Sequence, residues 1–351
     1  MCRRGRGQYR GPLMQNAERL PASLCIVVPC YNEEAVLPET FKRMTAIFDD
    51  LIARGKIASS SHMLFVNDGS KDATWQLIAE ASETSPYIRG LKLSRNRGHQ
   101  IALKAGLMTC AGDIIISIDA DLQDDLAAIE KMIDAHYNGA DIVYGVRSSR
   151  KTDTFFKRFT AESYYSVLKS MGIDIVFNHA DYRLMSRRAI EALREYDEAN
   201  LFLRGLIPQL GFNTAIVEYE RHERFAGESH YPLGKMISLA MSGITAFSIG
   251  PLRFITYLGL MIAMASFIAG AWSLVVTLFT DSAVPGWAST VVPLFFLGGV
   301  QLVSLGIIGE YVGRIYFETK RRPHYHIDQL VGGVKQPSGP KNERLLEATN
   351  S

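Results

Sequence analysis

Asp119 and Asp121 stand one residue apart at the end of the apolar run Ile114-Ile115-Ile116, and Gln123 follows two positions later. A buried strand ending in two acids and an amide delivers hard oxygen ligands to the carboxyl edge of a sheet, where a divalent cation can hold a diphosphate. That chemistry points to a nucleotide-sugar site. A lone pair of this kind can also simply end a strand and cap the next helix, so its surroundings decide.

Strands and helices alternate around the pair. Leu24 to Pro29, Met63 to Val66, Ile88 to Leu93, Ile114 to Ile118 and Ile142 to Val146 read as short strands. Glu34 to Ala53, Ala73 to Ala81, His99 to Thr109 and Leu126 to His136 have helical spacing. This order predicts an α/β fold with a mostly parallel sheet covered by helices on both faces, whose ligands gather at the carboxyl ends of the strands. Polar clusters follow four strands in turn: Pro29-Cys30-Tyr31-Asn32-Glu33-Glu34, Asn67-Asp68-Gly69-Ser70-Lys71-Asp72, Arg95-Asn96-Arg97-Gly98 and the Asp119/Asp121 pair. Each alone could be a turn with a cap, but four at one edge mark a site.

The chain has 351 residues and a formal charge of +2, too small an excess to argue for a nucleic-acid partner. Two charge-free runs, Phe254 to Thr280 and Ala288 to Gly309, are each long enough to cross a bilayer. The loop between them has no Lys or Arg, whereas Arg253 precedes the first and Arg314, Lys320, Arg321 and Arg322 follow the second. The positive-inside rule puts both ends, and the carboxylate pair, in the cytoplasm. Lys235 to Ile249 is apolar but short, and reads as an interfacial helix. The charged, glycine-containing loop before it, residues 221–234, suggests a lid. Cys2, Cys25, Cys30 and Cys110 form no C-x-x-C pair, which fits a reducing compartment, and the histidines show no metal-ligand spacing. The basic start lacks an apolar core and reads as a disordered arm, with Met14 a second candidate start.

The motifs Val27-Val28-Pro29-Cys30-Tyr31-Asn32-Glu33-Glu34, Val66-Asn67-Asp68-Gly69-Ser70-Lys71-Asp72, Asn96-Arg97-Gly98 and Asp119-Ala120-Asp121-Leu122-Gln123-Asp124 resemble those of the inverting family 2 glycosyltransferases. Among these the chain is most similar to polyprenyl-phosphate glycosyltransferases such as the bactoprenol glucosyltransferases and dolichol-phosphate mannose synthase. The resemblance implies an arm at 1–21, a cytoplasmic GT-A nucleotide-sugar domain at 22–232, an interfacial helix at 233–250, two transmembrane helices within 251–318 and a cytoplasmic tail at 319–351. It implies that Pro29, Tyr31, Asn32, Glu33, Asp68, Lys92, Gly98 and Ala120 bind the UDP-sugar. Asp119, Asp121 and Gln123 would hold Mg²⁺ or Mn²⁺ against the diphosphate. Asp181, within His179-Ala180-Asp181-Tyr182-Arg183-Leu184, matches a position beside the reaction centre and is carried as catalytic with the acidic pair. Relatives often carry prolines where this chain has Asp124-Asp125-Leu126-Ala127, a local departure.

A phosphate monoester is already an anionic nucleophile at neutral pH, so such an acceptor needs cations to position it rather than a strong base. Arg147 after the fifth strand, Arg158 on an expected helix from Phe155 to Lys169, and Arg183 are the candidates, since the planar guanidinium fork suits phosphate. The expectation is an enzyme of the bacterial cytoplasmic membrane that moves a hexose, glucose from UDP-glucose foremost, to undecaprenyl phosphate. Its product would serve O-antigen or envelope glycan modification through a flippase and a periplasmic glycosyltransferase. A homo-oligomer would shelter two thin spans. Mannose, an N-acetylhexosamine or a modified pentose would be transferred by the same motifs. A processive polysaccharide synthase is disfavoured by only two spans and by the lack of Gln-x-x-Arg-Trp. A membrane scaffold with a vestigial nucleotide fold would not need both acids.

Overall fold

β1 (Leu24–Cys30) has no exposed residue along its length, as a strand covered on both faces requires. Its side chains alternate between two cores: Ile26 and Val28 pack into one, Cys25 and Val27 into the other. The computed structural model describes residues 20–148, 179–198, 201–220 and 287–334, with isolated helical residues between 252 and 279. Around β1 the sheet adds β2 (His62–Asn67), β3 (Ile88–Leu93), β4 (Ile114–Ser117), β5 (Ile142–Arg147), β6 (His179–Ser186), β7 (Thr214–Tyr219) and β8 (Ile327–Val331). The order across the sheet is β7-β5-β6-β4-β1-β2-β3-β8. On one face lie α1 (Leu37–Ala53), α2 (Thr74–Thr84) and α4 (Ala128–Tyr137), which contribute Met44, Phe48, Ile78, Ile129 and Met132. On the other lie α3 (His99–Thr109), α5 (Arg187–Arg194) and α6 (Leu203–Gln209), with Leu103, Leu107, Ile190, Leu193 and Leu206.

The strands and helices expected between Leu24 and Arg147 are present, with boundaries shifted by up to three residues. α1 starts at Leu37 because the Glu33 carbonyl accepts from both Val36 and Leu37 in a turn ahead of it. The sheet is more mixed than expected. β1 runs parallel to β2 and β4, β2 to β3, and β5 to β7. β6 is antiparallel to both β4 and β5, and β8 to β3. β6 escapes a hydropathy reading because it carries Asp181 and Arg183 in a fully buried position, so charge masks a central strand. β8 changes the reading of the tail. Residues 327–331 return to the sheet edge, with Trp75 Nε1 donating to Gln329 at 2.7 Å and Lys92 paired to Asp328 at 3.1 Å.

α7 (Trp287–Thr319) runs for 33 residues. Within it Phe296–Thr319 is, among the described residues, the one helix long and apolar enough to cross a membrane, and its most apolar window is not buried against the protein. It continues past the charge-free run by pairing Glu310 with Arg314, 3.1 Å apart at i,i+4. Most of the first apolar run lies outside the described residues, as do the arm, the lid, the interfacial helix and the helix expected around Arg158.

His62 opens β2 almost fully buried, and burial, aided by Arg89, pushes its pKa down to about 4 against the weaker pull of the Ser60 carbonyl. The folded protein therefore resists protonation that the unfolded chain accepts near pH 6.5. Stability held by neutral His62 is complete above that pH and declines as pH falls toward 4. Going from pH 7.5 to 5 is expected to cost about 2 kcal/mol through this residue. Thermal unfolding of detergent-solubilised wild type and His62→Gln at the two pH values measures it; an equal pH loss in both proteins would refute the assignment.

Candidate active site

The loops that follow β1 and β2 are joined into one unit by short polar side chains. Asn32 adopts a left-handed backbone at φ 54°, which asparagine tolerates better than most residues. Its N–H donates to Ser70 Oγ at 3.0 Å and its side-chain oxygen accepts from the Lys71 N–H at 2.9 Å. The Glu33 N–H donates to Thr74 Oγ1 at 2.8 Å, and the Glu34 carboxylate accepts from the Ala73 N–H at 2.9 Å. Pro29 is buried in β1, whereas the Tyr31 ring is exposed on the rim of this unit.

Asp68 ties the third loop to the second. One of its oxygens accepts from the Arg97 N–H at 2.7 Å and the other from the Gly98 N–H at 2.8 Å. Burial raises its pKa despite these two bonds. Gly69, at φ 65°, leaves the room this contact needs, since a Cβ there would lie 2.5 Å from the Asn96 nitrogen. Lys92, expected at the donor site, is instead engaged by Asp328 of β8.

After β4 the chain turns sharply, with Leu122 at φ 55° and the Gln123 N–H donating back to Asp121 at 3.2 Å. Ala120 is buried, and its carbonyl accepts from Thr40 Oγ1 at 3.2 Å. The Asp119 side chain is 37% exposed, yet its Oδ1 is buried and makes no hydrogen bond. Burial first, then the carboxylates of Asp181, Asp124 and Asp121, push its pKa up to about 6, with His99 opposing. A hard divalent cation would partner that oxygen and relieve the crowding, so Asp119, Asp121 and the Gln123 amide fit one. Among the described residues no group of three or more His, Cys, Asp or Glu is set to hold a metal. Two carboxylates and an amide leave the remaining positions to substrate oxygens and water.

Asp181 lies on β6, the strand beside β4, and is 4% exposed. It is paired with Arg183, with Arg204 of α6 at 3.0 Å, with the Gln100 amide at 3.3 Å and with His99 at 3.4 Å. Burial works against its charge, but His99, Arg183 and Arg204 hold its carboxyl well below the usual range. His99 Nε2 also stands 3.6 Å from Asp119 Oδ1, so it links the two carboxylates. Burial opposes charge on His99, and Asp181 and Asp119 together raise its pKa nonetheless. His99 and Arg204 belong to this site and were not legible beforehand. The one available signal for His99 was its place directly after Asn96-Arg97-Gly98.

Of the expected acceptor arginines, the two described residues, Arg147 and Arg183, have different partners. Arg183 is 1% exposed and turned onto Asp181. Arg147 ends β5, donating to the Tyr219 hydroxyl at 3.4 Å, which itself donates to Asp124 at 2.6 Å. Arg158 lies outside the described residues.

Replacing Asp68 by Asn keeps its volume but supplies a single acceptor oxygen for two N–H groups. The loss is expected to be about 1–3 kcal/mol, read as a lower Tm and as faster amide exchange confined to Arg97 and Gly98. Unchanged exchange at those two amides would show that Asp68 does not hold the loop.

Residues 25–194 match the family model described as "Glycosyl transferase family 2". An uncharacterised glycosyltransferase of Bacillus subtilis, YkoT, is 52% identical over 307 residues, 87% of this chain and 91% of the relative. A prophage bactoprenol glucosyl transferase homolog of Escherichia coli is 42% identical over 308 residues, 88% of this chain and 99% of the relative. Among solved structures, a mannosyltransferase of Pyrobaculum calidifontis in complex with GDP-Man and Mn²⁺ covers 85% of each chain at 16% identity, with a TM-score of 0.43. The family match takes in Asp68, His99, Asp119, Asp121 and Asp181, and the curated relatives extend it to nearly nine-tenths of the chain: this is a family 2 glycosyltransferase, of the polyprenyl-phosphate group.

Proposed function

We propose that the chain transfers a single hexose, glucose from UDP-glucose foremost, to undecaprenyl phosphate with inversion at the anomeric carbon. The observation that carries this reading is the Asp119 carboxylate beside Asp121, its buried Oδ1 without a hydrogen bond, at an edge where four loops converge. The names of relatives 42% identical over 305 to 311 residues, bactoprenol glucosyl transferases of Shigella phages SfX, SfV and SfII, support the acceptor and the sugar.

In this reading the exposed Tyr31 ring offers a face to the uracil, with Asn32, Glu33, Asp68 and Gly98 shaping the pocket beside it. Asp119, Asp121 and Gln123 would hold Mg²⁺ or Mn²⁺, which when bound offsets charge on the departing UDP. Asp181 acts by position. A carboxylate held by two arginines and a histidine is a weak base, and an anionic phosphate acceptor needs none to deprotonate it. Attack opposite the leaving UDP completes the displacement in one step, so no sugar-enzyme intermediate forms. Two membrane spans, with the catalytic edge on the cytoplasmic side and Arg147 and Arg158 near the acceptor, complete the proposal. The product would be consumed on the far side of the membrane by a flippase-coupled periplasmic glycosyltransferase.

The test uses the purified full chain in nanodiscs with undecaprenyl phosphate, Mg²⁺ or Mn²⁺, and radiolabelled UDP-glucose, UDP-N-acetylglucosamine or GDP-mannose. Label from UDP-glucose is expected in a single-sugar lipid of inverted configuration. Asp121→Asn should abolish transfer with unchanged circular dichroism, because it removes a charge from the cation site. Wild-type turnover by that variant at saturating metal would remove the cation assignment. A lengthening polymer would favour the processive synthase, and no donor-dependent transfer would favour a scaffold.

A further inference from the structure

Arg97 has its backbone in the active site and its side chain outside it. Its N–H donates to Asp68, whereas its guanidinium Nε donates to the His324 carbonyl in the link between α7 and β8. That contact borders an open cavity of about 680 Å³ lined by the loop after β3, the last turns of α7 and residues 322–326. Arg95, Arg97, Arg314 and Arg322 line it, opposed by Glu310 and Glu318, so its walls carry an excess of two positive charges. Arg314 gives one nitrogen to Glu310 at 3.1 Å, but its Nε is buried without a hydrogen-bond partner. Gly313 faces open space, with nothing within 4 Å of where a Cβ would stand. Ile101, Phe317 and Tyr325 supply apolar wall.

The cavity sits at the foot of the candidate span Phe296–Thr319. There Phe317 is 62% exposed, and Lys320 lies over the Tyr316 ring at 4.1 Å, as at a boundary between apolar and charged surroundings. From Arg97, two residues along the chain lead to His99, whose ring is 3.6 Å from Asp119.

We propose that this cavity seats the phosphate monoester of an isoprenoid lipid, its first isoprene units against Ile101, Phe317 and Tyr325, before transfer at the Asp119 edge. The assignment rests on the reading of the chain as a polyprenyl-phosphate glycosyltransferase and gives its acceptor a first seat, occupied before the phosphate reaches Arg147 and Arg158. A monoester carries close to two negative charges at neutral pH, matching the excess on the walls, whereas a bulk phospholipid diester carries one. The paired fork of arginine suits such a head group. No bond is made or broken in the cavity. Arg183, buried on Asp181, is unsuited to a ligand arriving from the membrane.

Two kinds of change test this in the full chain. Gly313→Leu plugs the cavity without altering charge, and leucine is a better helix former than glycine. Arg95→Gln and Arg322→Gln remove charge at exposed positions where folding is not at stake. Each is expected to raise KM for undecaprenyl phosphate roughly tenfold, leaving KM for the UDP-sugar, kcat at saturating acceptor and Tm unchanged; Arg322→Lys should recover part of the loss. Binding is measured separately by native mass spectrometry in phosphatidylcholine nanodiscs without donor. Undecaprenyl phosphate should bind the wild type and be weakened by the same variants, and neither inorganic phosphate nor phosphatidylglycerol at equal concentration should displace it. Displacement by phosphatidylglycerol would make this a general anionic-lipid site and overturn the proposal, as would unchanged acceptor binding or a rise in donor KM instead. Binding that follows the variants without any sugar transfer would uphold the cavity and overturn the proposed reaction. Transfer indifferent to the variants would do the reverse.

Discussion

A carboxylate with 4% exposure cannot remain charged unless the fold surrounds it with cations, and Asp181 imposes that condition on the whole catalytic edge. Its partners come from three elements: Arg183 from its own strand β6, Arg204 from α6 and His99 from the first turn of α3. Satisfying one buried charge therefore fixes how both flanking helices meet the sheet. Removing Asp181 would leave the guanidinium of Arg183, itself 1% exposed, buried without its carboxylate. The same arrangement presents His99 to Asp119, so the position of the acidic pair is coupled to the packing beneath it.

A second constraint acts through the loops. Asn32, Glu34, Asp68 and Asp72 spend their hydrogen-bonding capacity on neighbouring backbone, so that the three connections after β1, β2 and β3 behave as one rim. Polar residues at a sheet edge thus have two tasks, and burial tells them apart. Asp68 is buried with both oxygens occupied by backbone, which is a holding role, whereas Asp119 keeps a buried oxygen that makes no hydrogen bond and faces the His99 ring at 3.6 Å. β8 extends the same logic to α7. By pairing with β3 directly after α7, it ties the foot of the apolar helix to the loop that carries Arg97, six residues after Leu91 in that strand's register.

Much of this was legible in one dimension. The alternation of strands and helices from Leu24 to Arg147 follows from period-2 and period-3.6 patterning, because those elements are made by local backbone preference and one-sided burial. The carboxylate pair, the polar clusters and the long apolar runs are likewise local features, readable wherever residue type and spacing coincide. Asp119 and Asp121 needed no tertiary information to be suspected as cation ligands, since their neighbours within four residues already place them at a strand's end.

What escaped depends on pairing between distant segments. β6 conceals its strand character because Asp181 and Arg183 are buried within it, paired with each other and, through Asp181, with His99 and Arg204 from distant parts of the chain. His99 resembled an ordinary helix-start residue until folding brought Asp119 and Asp181 to it. Lys92 was drawn away from the site by Asp328, more than 200 residues downstream. Sequence alone determined the elements from Leu24 to Arg147, the acidic pair and the apolar helix. Tertiary structure decided which charges meet, because electrostatic partnership depends on distance in space, and residues far apart in the chain become neighbours only when the sheet order is set.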